Sequence, residues 1–169
     1  MITEIIVDIA NISLALSFLA ALIFGIAQTK AMARDRKERL TLETLRVVQT
    51  REFAELIYFI TSRDMPTTEE QMRAMPKEHR AMYIQFAQQM ESLGIQVAEG
   101  LIDLDIVDKT LGSFVMYAWK KYEPVFATRR KNDPYLGEYF QWLALQTDDK
   151  MQQHPRMPQY ENTTQLPLA

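Results

Sequence analysis

The 169-residue sequence contains no cysteine, which excludes a disulfide framework, a thiolate metal site and a cysteine nucleophile in one step. Histidine is almost as scarce. The two present, His79 and His154, stand far apart in the chain, one near an expected helix start and one in a polar C-terminal stretch. No motif ties either to a serine or other nucleophile, so neither is assigned general-base duty. Glycine is held to five residues, with no Gly-rich phosphate loop among them. The Glu-x-x-His motifs that an inward-facing di-metal bundle needs are missing. A formal net charge of −3 gives no global attraction to nucleic acid. These absences point away from an enzyme: no catalytic residue, cofactor or metal is expected.

What the sequence does have is a nearly unbroken apolar run from Ile5 to Ala27. As a helix it reaches about 34 Å, enough to cross a hydrocarbon core of roughly 30 Å. Residues 1–29 are therefore read as a transmembrane anchor. Ser13, Ser17, Ala21 and Gly25 recur at every fourth position, and such a small-residue ridge lets another helix approach closely. The expected partners are membrane lipid and a second transmembrane helix, from another copy or from a membrane-complex subunit.

Charge orients the anchor. Glu4 and Asp8 lie at its start, whereas Lys30, Arg34, Arg36, Lys37 and Arg39 follow its end. The positive-inside rule keeps that basic flank in the cytoplasm and exports the N-terminus. Residues 30–39 read as a basic juxtamembrane stalk whose five cations meet anionic lipid or an acidic partner. Ala31-Met32-Ala33 has the form of a signal-peptide cleavage site. Against cleavage stand an N-terminal region without Lys or Arg and an apolar run longer than the roughly 7 to 15 residues of a signal peptide.

Beyond the stalk, no proline or glycine interrupts the chain to Ser62, so the anchor helix is expected to continue that far. Leu42, Leu45, Gln49, Phe53, Leu56 and Ile60 recur at helical spacing, which places the start of a bundle domain, residues 40–147, near Leu40. Arg63 to Pro66 ends this helix, and Thr67-x-x-Glu70 has the form of a capping box. Pro76 suits the first turn of a second helix with Met82, Phe86, Met90, Leu93 and Val97 inward, stopped by Gly100. Asp103 or Asp105 can cap a third helix presenting Val107, Leu111, Phe114, Ala118, Tyr122 and Val125, with Pro124 expected to kink or end it. Pro134 is placed at the first position of a fourth helix, with Leu136, Tyr139, Phe140 and Leu143 inward. After Thr147 the chain turns polar and proline-punctuated, and residues 148–169 are read as a flexible tail.

Two polar clusters remain. Glu99, Asp103, Asp105 and Asp108 surround a helix end and the next helix start, where carboxylates cap free N–H groups and favour the positive end of the dipole; capping is the reading preferred over a metal site. Lys120-Lys121 and Arg129-Arg130-Lys131 are flanked by Trp119, Tyr122 and Phe126. Those aromatics fall at core spacing and the cations near a helix C-terminus, so a structural role is preferred to nucleic-acid binding.

Taken in order, Gly100-Leu-Ile-Asp103, Trp119, Pro124, Arg129-Arg130, Pro134-Tyr135 and Tyr139-Phe140-x-x-Leu143 resemble a family of bacterial proteins of unknown function that join an N-terminal span to an all-helical cytoplasmic domain. The resemblance covers roughly Leu40 to Gln146. It implies a bacterial inner-membrane location and brings no functional residues. The resulting expectation is an all-α protein: a single-pass, N-out transmembrane helix continuing into a cytoplasmic bundle of about four helices. It would serve as an assembly, scaffold or accessory subunit, or else as a tethered regulatory or sensory module that binds a small ligand or soluble protein.

Overall fold

The computed structural model describes residues 2–155 and 157; most of the expected tail, residue 156 and residues 158–169, lies outside the described residues. Those described form six helices and no strand.

The first helix, α1 (Ile2–Val48), is 47 residues long, about 70 Å at 1.5 Å per residue. Its N-terminal half is apolar on every side, and each large apolar side chain from Ile5 to Ile26 is more than half exposed. It is the one helix among the described residues long and apolar enough to cross a membrane.

The helix does not continue to Ser62. It stops at Val48, and α2 (Arg51–Ser62) begins after Gln49-Thr50. Thr50 makes the break without proline or glycine: its hydroxyl donates to Val47 O at 2.8 Å and accepts from Phe53 N at 3.2 Å, giving the backbone an alternative to the helical ladder. The buried face accordingly begins at Phe53 and continues through Leu56, Phe59 and Ile60, while Leu42 is exposed and, among the described side chains of α1, only Val48 is a hydrophobic packed on the core. The Leu45 side chain lies outside the described set.

The short α3 (Glu69–Ala74) is capped one residue later than the expected box. Thr68 accepts from Gln71 N at 3.2 Å, and Gln71 Oε1 takes the Thr67 N–H at 2.8 Å. Pro76 then opens α4 (Lys77–Ala98). Gly100, at φ 69°, closes that helix in the left-handed conformation. Its N–H reaches Val97 O at 3.0 Å and the Leu101 N–H reaches Gln96 O at 2.9 Å. These are the two bonds of a Schellman ending, with Ile102 buried behind them.

Asp103 caps α5 (Leu104–Arg129) by accepting from Asp105 N at 2.9 Å. Pro124 does not end this helix, which runs five residues farther; Val125 and Phe126, both buried, hold the last turn in place against the lost hydrogen bond. Pro134 does not open the next helix either. It lies in a turn, and α6 (Glu138–Gln153) starts after Gly137 at φ 66°. α6 also runs six residues past Thr147, through the first residues assigned to the tail.

Helices α4, α5 and α6 enclose the core, with α2 laid on α4. Phe86 is fully buried at its centre, with Phe53, Phe114, Tyr122 and Phe140 ring centroids at 6.4, 5.6, 5.7 and 6.1 Å. Such pairs contribute about 0.5–1.5 kcal/mol each beyond their buried area. Gly94 lets α4 and α6 touch: a Cβ built there would stand 2.3 Å from the Tyr139 carbonyl oxygen.

Candidate functional site

Ser13, Ser17, Ala21 and Gly25 line one exposed strip of α1. Nothing lies within 4 Å of a Cβ built on Gly25, so the fold brings no second helix to that position. Of the stalk cations, Arg34 pairs with Glu38 at 2.9 Å and Arg39 with Glu43 at 4.0 Å, both one turn along the same helix. Lys37 reaches Asp103 at 3.7 Å and ties the stalk to the α4–α5 turn. At 100° per residue, Lys30, Arg34 and Lys37 share an arc of about 60°, whereas Arg36 and Arg39 point elsewhere. Lys30 and Arg36 have no acidic partner among the described residues.

The second basic region is mostly engaged in holding the bundle. Lys121 Nζ donates to Ile60 O at 2.8 Å and to Arg63 O at 2.9 Å, satisfying carbonyls at the end of α2 where the dipole favours a cation. Arg130 closes the α5–α6 turn: it donates to Leu136 O at 2.7 Å, to Gly137 O at 2.9 Å and to the Gln141 side chain, and its guanidinium lies 5.5 Å from the Trp119 ring centroid. Arg129 points differently, with Nε 3.2 Å from Glu69 Oε2.

The carboxylate cluster is spread along helix ends. Asp103 caps α5, Asp105 pairs with Lys150 of α6, and Asp108 is buried beside Gly112. No group of three or more His, Asp or Glu able to hold a metal occurs among the described residues. His79 packs on Phe59 at 5.4 Å in the first turn of α4, and His154 ends α6.

A feature outside the sequence expectations lies between α4 and the α5–α6 turn. Tyr83 is 1% exposed, and its ring stacks on Tyr122 at a centroid distance of 4.1 Å. The Tyr122 hydroxyl donates to Tyr83 O at 2.8 Å, but the Tyr83 hydroxyl has no hydrogen-bond partner. A buried hydroxyl in that state costs about 1–3 kcal/mol. Burial pushes the pKa of both phenols well above the ordinary tyrosine value, with the Arg129 charge opposing the shift at Tyr83 and Tyr83 itself adding to it at Tyr122. Both are therefore neutral O–H groups at physiological pH.

Tyr83 lines a cleft of about 180 Å³ together with Glu91, Phe126, Arg129, Leu136 and Gly137. A second cleft of about 320 Å³ shares Arg129 and Leu136 and is otherwise polar, bounded by Glu69, Arg73, Thr128, Asn132 and Asp133. Arg129 thus stands between an apolar lobe and a polar one. Tyr83 was legible in principle: Tyr83, Phe86, Met90, Leu93 and Val97 follow steps of 3, 4, 3 and 4. Met82, expected inward, is only partly buried.

No curated protein and no solved structure matches the chain. A family match does exist, and its range, residues 7–147, includes most of the apolar half of α1 as well as the helices that build the core. The chain belongs to the family described as a domain of unknown function, DUF4760.

Proposed function

We propose that the protein is a membrane-tethered assembly or accessory subunit of the bacterial inner membrane. α1 crosses the bilayer with its N-terminus outside and carries the helical bundle on the cytoplasmic side. The observation that carries this reading is the continuous band of exposed apolar side chains around α1 from Ile5 to Ile26, far more than a water-exposed helix sustains. The basic flank supports the orientation. Lys37, about 10 Å along the helix from Lys30, anchors the bundle near the headgroups through Asp103. The strip of Ser13, Ser17, Ala21 and Gly25 offers a second span a close approach, adding hydrogen bonds of about 0.6 kcal/mol on average where serine takes part. Lys30 and Arg36 are the stalk cations best placed for anionic lipid.

Purification from the native membrane in mild detergent tests this reading. Ala21→Leu with Gly25→Leu keeps the span apolar and fills the strip, so a co-purifying membrane protein or a cross-linked second copy should be lost. Leu14→Ile with Leu22→Ile should retain it. Normal insertion of the leucine variant with full retention of every partner contradicts the role given to the strip.

The unsatisfied Tyr83 hydroxyl in its cleft favours a second reading, a tethered regulatory module whose bundle binds a small ligand.

A further inference from the structure

The polar groups around the Tyr83 cleft are unequal in what they still offer. The Glu91 carboxylate accepts the N–H groups of Tyr139 and Phe140 at 3.1 and 2.9 Å. The Glu69 carboxylate faces Arg73 and Arg129 at 3.4 and 3.2 Å. Both Glu91 oxygens are thus engaged; in the polar cleft Glu69 Oε2, though beside Arg129, accepts no hydrogen bond, and a third acid, Asp133, accepts the Tyr135 N–H at 3.2 Å. Arg129 uses its Nε side toward Glu69, and its two terminal nitrogens have no acceptor among the described residues. The Tyr83 hydroxyl is buried with no partner. In the apolar lobe, lined by Tyr83, Arg129, Phe126 and Leu136, the unspent capacity is donor capacity; the acceptors left over, on Glu69 and Asp133, belong to the polar lobe.

We propose that the two adjoining clefts form one binding site for a small organic acid, its carboxylate held between the Tyr83 hydroxyl and the Arg129 guanidinium and its apolar body in the lobe walled by Phe126 and Leu136. A lobe of about 180 Å³ admits a single ring or a short branched chain, since a cavity of about 150 Å³ holds benzene. An anion fits because guanidinium and hydroxyl donors are stronger toward a charged acceptor than toward a neutral one. In the apolar lobe a cation would meet Arg129 with the Glu91 carboxylate already taken by two backbone N–H groups, the other carboxylates, Glu69 and Asp133, lying in the polar lobe. The polar lobe beyond Arg129, with Arg73 and Asn132, has room for a polar substituent on the acid. The site develops the regulatory reading and rests on it; a tethered chain that ignored organic acids would sink the site and leave the anchor standing.

Full-length protein in lipid nanodiscs is titrated with benzoate, 3-methylbutanoate and benzamide while the unfolding midpoint is followed. A ligand that binds only the folded chain raises the midpoint saturably. Benzoate or 3-methylbutanoate should do so, and benzamide, with the same ring and no charge, should do so at least about tenfold more weakly. Tyr83→Phe removes one oxygen and should weaken acid binding about tenfold. Arg129→Gln should weaken it further, and Lys120→Ala should leave it unchanged. No saturable shift with either acid at tens of millimolar, or equal shifts in wild type and Tyr83→Phe, overturns the proposal. Should Arg129→Gln fail to fold, Tyr83→Phe decides alone, since it leaves the Glu69 pair in place.

Discussion

The Glu91 carboxylate on α4 caps a helix that begins almost fifty residues later: its Oε2 lies 2.9 Å from the amide nitrogen of Phe140, and its Oε1 lies 3.1 Å from that of Tyr139. The N-cap of α6 is Gly137, which has no side chain to do this. The negative charge also sits at the positive end of the α6 dipole. Glu91→Ala should lower stability by about 1–2 kcal/mol, as for loss of an N-cap, and Glu91→Gln should cost less because an amide oxygen still accepts one N–H. Chemical denaturation of the detergent-solubilised chain checks both. A neutral Glu91→Ala would mean that α6 holds its start by core packing alone.

Two glycines should respond differently to alanine. A Cβ on Gly94 would meet the Tyr139 backbone, its carbonyl oxygen at 2.3 Å and carbonyl carbon at 2.7 Å. Neither atom can rotate away, so α4 and α6 must separate, at a cost of about 1–3 kcal/mol that exceeds the helix-propensity gain of up to about 1 kcal/mol. Gly100 has open space around it but φ 69°, so its alanine variant should lose only about 1 kcal/mol. Thermal midpoints in that order test the closeness of the α4–α6 contact. Gly94→Ala at or above wild type contradicts it.

Adjacent arginines carry separate loads. Arg130→Lys keeps the charge but cannot bond Leu136 O, Gly137 O and the Gln141 side chain at once. The expected loss is about 1.5–3 kcal/mol, for charge-assisted bonds to a partly buried turn. Lys131→Ala, at an exposed neighbour, should change stability by no more than about 0.5 kcal/mol. Equilibrium unfolding of the two variants provides the comparison; equal effects would deny Arg130 its role in closing the turn.

Much of this fold was legible in the sequence, because caps and stops are local. Asp103, Pro76 and Gly100 act within one turn of where they stand, and their side-chain chemistry announces it. Thr50 was missed because a threonine break carries no signal as strong as proline or glycine, and the helical spacing of Leu42 to Ile60 runs straight through it. Gly137 took the place expected of Pro134 for a tertiary reason: Glu91 supplies the cap from another helix, 48 residues away. The Tyr83 cleft needs α4, α5 and the α5–α6 turn to be assembled, and no spacing along one segment reveals that its hydroxyl is left without an acceptor.

Alkaline pH should find the two buried phenols. In the fold both pKa values are raised above the unfolded value of about 10, so the folded chain binds protons that the unfolded chain releases. Their contribution is fully present below pH about 10 and is lost as pH climbs above it toward the folded values. Tyr122→Phe should cost about 1 kcal/mol at neutral pH, through the bond to Tyr83 O. Tyr83→Phe deletes an unsatisfied hydroxyl and should be neutral or stabilising. Unfolding free energies from pH 8 to 11 check both the slope and the pair; no contribution of the two phenols to the slope would place them in solvent.

Tethering is tested most directly by labelling, which the absence of cysteine makes clean. Single cysteines are introduced in place of Thr3, ahead of the apolar run, and Ser113, exposed on α5. Intact cells are then treated with a membrane-impermeant maleimide, and membranes are washed with carbonate. The chain should stay in the washed membrane, with Thr3→Cys labelled in intact cells and Ser113→Cys labelled only after lysis. Release into the carbonate wash, labelling of Ser113→Cys from outside, or a mature chain beginning near Arg34 would contradict a cytoplasmic bundle held by a single span.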